Sequence, residues 1–189
     1  MLLTHLEKVS IDKRFLRCLD VGEGGEHGMV FRIGESQVAK FPVRHNRCGF
    51  RKFSSSSKSK RRIMAESNVC KALYKKGYPV PEPRGMFSLP IKRYYGIGCY
   101  DAMPSKYGLL AIFHPFPYYP AFVMEYINGK PIYELPNKYE LHNEGSKILK
   151  RMEEEGFVLG AEAKMFPNML WDEDRKRIVI IDFSTWAFK

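Results

Sequence analysis

The chain has 189 residues, 44% of them hydrophobic and 14% aromatic, so it can bury one substantial core or two small lobes that share a cleft. Its formal net charge of +10 favours a polyanionic partner. No run of apolar residues is long enough to span a membrane, and the first ten residues lack the apolar block of a secretion signal. We therefore expect no transmembrane segment, and a location in the cytoplasm or nucleus, or in a host cell after delivery by a specialised machine.

The first predicted elements are three short strands within residues 21–43, with glycines concentrated in the first turn and Val38-Ala39-Lys40 ending the third strand. The segment from Arg44 to Arg62 follows, with eight Lys or Arg, no acid and a run of four serines. Such a segment offers little to bury, so we expect a mobile loop.

A helix is predicted next, over residues 60–76, because Ile63, Cys70, Leu73 and Tyr74 fall on one face and Gly77 ends the periodic pattern. Glu66 lies on the same apolar face. A buried carboxylate must be paired or protonated, since burying an isolated charge is unfavourable. The alternative is that Glu66 lies at the edge of the apolar stripe and reaches water.

The remaining elements continue the mixture of strands and helix. Further strands are expected at residues 86–95, 108–113 and 121–127, followed by a helix over 137–155. A hairpin of residues 169–171 and 178–181 then delivers Asp182 at its end. An aspartate directly after four apolar strand residues is poorly suited to stay buried without charge, so a metal or a cation is its expected partner. This order predicts an α+β fold with a sheet-rich first lobe, residues 1–127, and a smaller second lobe, residues 128–189.

Four features stand in a particular order: a glycine-rich turn, a Val-Ala-Lys strand, a helix with an inward glutamate, and an asparagine followed by a strand that ends in Asp-Phe. Because these features occur in this order over residues 20–186, the chain resembles the protein kinase superfamily. In its short length it resembles the minimal kinase-like proteins of bacterial effectors, viruses and fungi. The resemblance implies a two-lobe fold that binds ATP and Mg²⁺ in the cleft between the lobes.

The resemblance assigns the nucleotide to the first lobe. Lys40 would hold the α- and β-phosphates and Glu66 would hold Lys40. If the glycine-rich loop pattern of kinases ends on Val30, the glycines at the phosphates would be Gly25 and Gly28; if one residue is inserted, they would be Gly22 and Gly24. An ordinary hairpin with flexible glycines in its turn would explain the same residues. The residues matched to the adenine pocket are Ala39, Met124 as gatekeeper, and Glu125, Tyr126 and Ile127 as the segment that joins the lobes.

The metal ligands and the catalytic base would come from the second lobe. Asn168 and Asp182 match the two magnesium ligands, with Ser184 in place of the usual glycine. The position of the catalytic aspartate, five residues before Asn168, holds Ala163. Three explanations compete: a natural pseudokinase, an engineered inactivating substitution, or a loop in which Glu162 takes over.

The resulting prediction is an ATP- and Mg²⁺-binding phosphotransferase of the atypical serine/threonine kinase type, acting on a protein substrate or partner. One alternative is a pseudokinase adaptor, which would bind nucleotide without transferring phosphate. The other is a nucleic-acid-binding module that uses the basic segment from Arg44 to Arg62 with Phe50 and Phe53, although no known RNA- or DNA-binding motif accompanies it. With seven residues after Asp182, we expect no activation segment.

Overall fold

The computed structural model describes residues 17–18, 28–45, 51–53, 56–90, 118–160 and 168–188. Within these residues the fold is α+β, as the sequence predicts, with two α-helices and strands that all pair in antiparallel fashion. None of the described helices is long and apolar enough to cross a membrane.

The largest sheet contains six strands. They are β1 (Arg17–Cys18), β2 (Gly28–Arg32), β3 (Gln37–His45), β4 (Arg51–Phe53), β5 (Pro83–Pro90) and β6 (Tyr118–Glu125). Five of them run in the order β1-β2-β3-β6-β5, and β4 pairs with the end of β3. β3 therefore lies at the centre of the sheet.

The central strand β3 alternates between two apolar layers. Val38 pairs with Met124 and Lys40 with Phe122, and Val38, Phe122 and Met124 belong to the main buried cluster. The residues between them belong to a second cluster on the other face of the sheet, which includes Ala39, Phe41, Ala121 and Val123. Because successive side chains of a strand point to opposite faces, this register decides which residues can reach one site.

Helix α1 (Ser57–Lys75) packs on the face of the sheet that carries Lys40. The Ser56 side chain accepts a hydrogen bond from the Ser59 amide at 3.2 Å and caps the first turn, and Gly77, with φ of 80°, follows the last turn. The expected mobile loop is therefore wrong where the segment is described, because β3 continues to His45, β4 pairs with it, and α1 begins at Ser57. Residues 46–50 and 54–55 of that segment lie outside the described residues.

The second half of the chain is built around one helix and small sheets. Its elements are β7 (Gly129–Pro131), a 3-10 turn (Ile132–Glu134), α2 (Lys138–Glu154), β8 (Phe157–Val158), β9 (Met169–Asp172), β10 (Arg177–Ile180) and β11 (Ala187–Phe188). β9 and β10 form the predicted hairpin, β7 pairs with β9, and β8 pairs with β11.

One apolar cluster runs through both halves of the chain. It contains Ile63 and Phe122 from the first half and Leu149 and Ile178 from the second half. The Ile180 amide also donates to the Pro79 carbonyl oxygen at 2.9 Å, which joins β10 to the segment after α1. The division at residue 127 into two lobes stays a prediction, since the buried core is continuous across it.

Candidate functional site

A buried lysine with two carboxylates forms the centre of the candidate site. Lys40, which is 5% exposed, donates from Nζ to Oε1 of Glu66 at 2.7 Å and to Oδ1 of Asp182 at 2.7 Å. The predicted ion pair between Lys40 and Glu66 is present. The sequence also indicated that Asp182 requires a metal or a cation, and in the structure that cation is Lys40.

Three separate elements deliver these side chains. Lys40 extends from the centre of β3, Glu66 from the buried face of α1, and Asp182 from the segment that follows β10. The Phe183 amide donates to Oε1 of Glu66 at 3.3 Å, so the main chain beside Asp182 is tied to the helix as well. The site therefore holds the sheet, the helix and the hairpin together.

The backbone at Asp182 is unusual, because its φ of 62° lies in the left-handed region that non-glycine residues rarely occupy. The Ser184 amide donates to Oδ1 of Asp182 at 3.2 Å and helps to hold this conformation. Strained residues of this kind are often found at functional sites, where the surroundings maintain a side-chain direction that a relaxed backbone would not give.

Burial and mutual attraction shift the pKa values of all three charged groups of the site. Burial would lower the pKa of Lys40, but attraction by Glu66 and Asp182 outweighs it, so the pKa of Lys40 is raised and the side chain stays cationic. Burial would raise the pKa of Asp182, but the charge of Lys40 and the hydrogen bonds from Lys40 and Ser184 lower it to about 2. Burial raises the pKa of Glu66 despite Lys40, because one cation serves two carboxylates.

The two residues predicted to bind magnesium, Asn168 and Asp182, are brought near each other. Asp182, whose side chain is 32% exposed, is the accessible carboxylate, and the Ile181 amide donates to the Asn168 carbonyl oxygen at 2.9 Å, which holds Asn168 beside it. In the part of the chain that the structure describes, no group of three or more His, Cys, Asp or Glu could hold a metal by itself. This composition fits Mg²⁺, which is commonly held by one or two protein ligands together with substrate phosphates.

Gly28 and Val30 share the face of the sheet that carries Lys40. Val30 is the cross-strand partner of Lys40, and a Cβ at Gly28 would stand 2.8 Å from Cε of Lys40 and 3.1 Å from the carbonyl oxygen of Phe41. The lack of a side chain at Gly28 therefore lets the lysine stem pass beneath β2. Gly22, Gly24 and Gly25 lie outside the described residues, so their predicted contact with phosphate stays a prediction.

Gly28→Ala is expected to reduce the free energy of unfolding by about 1–3 kcal/mol, because Lys40 is held by two ion pairs and cannot easily yield to the new methyl group. Gly34→Ala is the matched control, since a Cβ there meets nothing within 4 Å. Urea denaturation of both variants measures the difference. Equal stability of the two variants would contradict the close approach at Gly28.

Ala39 is a correction to the site predicted from the sequence. Its side chain belongs to the second apolar cluster, on the face of β3 opposite to Lys40, because adjacent strand residues point in opposite directions. Val38 occupies the face that Lys40 shares and packs in the main cluster with Met124. Val38 is therefore the residue that the prediction missed, and the period of two along the strand was the signal that could have found it.

In the segment predicted to contact adenine, residues 125–127, two of the three backbone amides already donate hydrogen bonds within the protein. The Glu125 amide donates to the Glu82 carbonyl oxygen at 2.9 Å, and the Tyr126 amide donates to the Ser36 carbonyl oxygen at 2.8 Å. Among the described residues, no partner is found for the Ile127 amide. Ile127 is thus the amide in this segment that remains able to bind a ligand.

The side chain of Glu125 joins a network that the sequence analysis did not predict. It binds Arg175 and accepts a hydrogen bond from the Glu82 amide at 3.2 Å. Arg175 also donates to the buried carboxylate of Asp172 at 3.2 Å. The network fixes the turn between β9 and β10 against the end of β6, so the Glu125 carboxylate positions the hairpin.

Tyr126 is partly buried and packs against the main apolar cluster. The Arg32 guanidinium lies over its ring at 4.1 Å, and an open cleft of about 440 Å³ begins there, on the outer side of the strand ends. The cleft is lined by both acidic and basic side chains and does not include Lys40.

Ala163 and Glu162, the two candidates for the catalytic position, lie outside the described residues, within the gap between 160 and 168. The flanking residue Gly160 contacts the side chain of Thr185, which follows Asp182 by three residues. At the other flank, Asn168 is bonded through its carbonyl oxygen to the Ile181 amide. Both ends of the segment that contains Ala163 are thus anchored beside Asp182.

No protein-family model matches the chain, and no curated protein matches it. Among solved structures it is similar to a medium-resolution structure of the bifunctional kinase-methyltransferase WbdD (TM-score 0.48), to monomeric WbdD (0.47) and to a high-resolution WbdD structure (0.46). Identity is 16% in each case, and 89% of this chain is covered. The covered share of the WbdD chains is 32%, 35% and 32%, so the chain spans about a third of their length.

Proposed function

We propose that this protein binds ATP with Mg²⁺ and acts as a kinase-like phosphotransferase. The observation that carries the proposal is the buried Lys40, which is bonded at 2.7 Å to a helix carboxylate, Glu66, and to a carboxylate at the end of a hairpin, Asp182. Lysine, helix glutamate and metal-binding aspartate are the groups that kinases combine at the phosphates of ATP. The order of the same residues in the sequence supports the proposal independently.

Lys40 would bind the phosphates because its charge is kept by two carboxylates and its position is fixed by Glu66. An ammonium group has three donors, so it can bind a phosphate oxygen while one donor remains on Glu66. The side chain cannot move freely, since β2 covers its stem at Gly28. The entropy of ordering this cation has therefore been lost before the phosphates bind.

Asp182 would exchange its partner when nucleotide binds. Its carboxylate is the more exposed of the two acids and stays ionised, so it can leave Lys40 and hold the metal together with Asn168. A bound Mg²⁺ would supply positive charge at the phosphates during transfer. Glu66 keeps Lys40 in place during this exchange, because it is 3% exposed and is also held by the Phe183 amide.

The adenine would lie beside Val38 and Met124, which pack together on the face of the sheet that carries Lys40. The Ile127 amide would donate to the base, since the amides of Glu125 and Tyr126 are already used. Val30 would cover the ring from the neighbouring strand, where it is paired with Lys40. A flat apolar slot with one or two backbone donors is a common design for a nucleotide base.

A second candidate function is nucleotide binding without transfer, as in a pseudokinase adaptor. The observation that favours it is Ala163, which has no group that can accept a hydroxyl proton. The residues proposed to hold nucleotide and metal are all present in this alternative. The two functions therefore differ in phosphate transfer and agree in binding.

Thermal melting with and without Mg-ATP tests the proposal that both functions share. A ligand that binds only the native state adds about 2.7 kcal/mol of stability at a hundredfold excess over Kd. We expect this gain in the wild-type protein and its loss in Asp182→Asn, which keeps the shape of the side chain and removes the charge that binds the metal. Asp174→Asn, the same change at an exposed turn of the hairpin, is the control and should keep the gain.

The result that would contradict the proposal is a melting temperature that Mg-ATP does not change in the wild-type protein. An equal gain in wild type and Asp182→Asn, combined with a gain from ATP in the presence of a chelator, would leave nucleotide binding and remove the proposed magnesium site.

A further inference from the structure

The exposed face of α1 is strongly basic. Six of its nineteen residues are Lys or Arg and all six are exposed: Lys58, Lys60, Arg61, Arg62, Lys71 and Lys75. The one acid of the helix, Glu66, is buried and bonded to Lys40. An excess of cations is not needed to keep a helix solvated in this protein, because α2 carries four acids and four cations in seventeen residues.

These cations are unfavourable for the isolated protein. Among the residues that the structure describes, none of the six forms an ion pair. Two like-charge pairs stand four residues apart, Lys58 with Arg62 and Lys71 with Lys75, and such pairs destabilise a helix. The first turn of α1 is basic and contains no acid, although the positive end of the helix dipole favours acids there. A polyanionic partner would remove both penalties.

Four of the cations form a stripe of two pairs, one near each end of the helix. Lys60, Arg61, Lys71 and Lys75 fall on one side of the helix at 100° per residue, and the stripe is about 22 Å long at 1.5 Å per residue. This side is opposite to Glu66, which faces Lys40. The stripe is therefore separate from the candidate nucleotide site and can bind a partner while that site is occupied.

The residues between the cations indicate the chemical class of the partner. Ala65, Asn68 and Ala72 are small or polar, and the half-buried Met64 is the one large apolar side chain on this side. The apolar area offered to a bilayer or to the core of a protein interface is therefore small. The exposed aromatic ring on the helix is Tyr74, 44% exposed, which is next to Lys75 and one turn from Lys71. Basic side chains beside an exposed aromatic ring are typical of surfaces that bind a phosphate backbone and stack a base.

We propose that the basic stripe of α1 binds the phosphate backbone of nucleic acid without reading its sequence. The stripe lies within residues 60–76, for which the sequence predicts a helix, and its first two cations also belong to the basic segment that was expected to be a mobile loop. In the structure a capped helix holds all four cations in a row, and this order is what makes the stripe a surface.

Fluorescence anisotropy with labelled single-stranded and double-stranded oligonucleotides, in EDTA and without ATP, tests the proposal. The stripe variant replaces Lys60, Arg61, Lys71 and Lys75 with Gln. The matched control replaces three exposed lysines and one exposed arginine on other elements with Gln: Lys130, Lys147, Lys150 and Arg177. Both variants lose four positive charges, so they separate the stripe from net charge.

We expect wild type and control to bind with similar affinity, and the stripe variant to bind at least about tenfold more weakly. Between about 50 and 200 mM salt, the slope of log K against log salt should fall by about 3 in the stripe variant alone. Without oligonucleotide, the stripe variant should melt no lower than wild type, because it loses like-charge repulsion; this controls for misfolding.

Equal weakening in both variants would overturn the proposal, since net charge would then explain binding. So would the absence of binding to either oligonucleotide at low salt, or stripe-dependent binding of phosphatidylserine vesicles without binding of oligonucleotide. None of these measurements involves Mg-ATP, so their outcome is independent of the proposed phosphotransferase function.

Discussion

Ala163→Asp is expected to raise the rate of phosphate transfer by about two to four orders of magnitude, which is the usual contribution of a positioned base. The affinity for Mg-ATP should change little, because a base would contact the acceptor hydroxyl, whereas the nucleotide is proposed to be held by Lys40, Asn168 and Asp182. Transfer from radiolabelled ATP to a generic protein acceptor gives the rate, and calorimetry gives the affinity.

The control for this experiment is Ala161→Asp, which adds the same carboxylate two residues earlier in the same segment. It should leave the rate unchanged, because a base must be within hydrogen-bond reach of the proton that it accepts. If Ala163→Asp has no effect while Glu162→Gln abolishes transfer, Glu162 is the working carboxylate and the catalytic loop has been aligned one residue out of place. Absence of transfer in every variant that still binds Mg-ATP would favour the adaptor function.

The central ion pair could be predicted from the sequence because each partner is improbable alone. A lysine at the end of an apolar strand and a glutamate on an apolar helix face both require a partner, and Lys40 and Glu66 satisfy each other. The contact of Lys40 with Asp182 was not predicted, since 142 residues separate them and the packing of the hairpin against the sheet has no local signal. The sequence indicated that Asp182 requires a metal or a cation, but it did not indicate that the cation is Lys40.

Other differences arise where one local pattern has two structural solutions. The serine run before α1 is typical of a disordered loop, yet Ser56 within it is a good N-cap, and the cap is what the structure uses. The motif around Lys40 suggested Ala39, although the period of two along a strand places Val38 beside Lys40. The link of Glu125 to Arg175 depends on how two turns meet, which no periodicity encodes.

Lys40→Met is expected to reduce the free energy of unfolding by about 3–5 kcal/mol near pH 8, because it leaves the buried carboxylate of Glu66 without its cation. Methionine fills a similar volume, so the loss comes from the uncompensated charge and not from a cavity. Urea denaturation at several pH values measures it.

The stability lost in Lys40→Met should depend on pH in a definite direction. Burial already raises the pKa of Glu66 with Lys40 present, and removal of Lys40 takes away the main influence that opposes burial. A carboxyl whose pKa is raised in the folded state contributes stability below its unfolded pKa and loses it as the pH rises through the folded pKa. The deficit of Lys40→Met relative to wild type should therefore shrink from pH 8 to pH 5. Asp182 also loses the cation that lowers its pKa, and the resulting rise in its pKa acts in the same direction.

Lys40→Met combined with Glu66→Gln is the informative companion variant. It removes the buried charge of Glu66 and keeps the shape of the side chain, so it should recover part of the lost stability and show a weaker pH dependence than Lys40→Met between pH 5 and 8. Neither variant should bind Mg-ATP, because both lack the cation that is proposed to hold the phosphates. A deficit that stays constant with pH, or a double variant that is no more stable than Lys40→Met, would mean that Glu66 is not held as a buried charge by Lys40, and the centre of the proposed site would then need a different explanation.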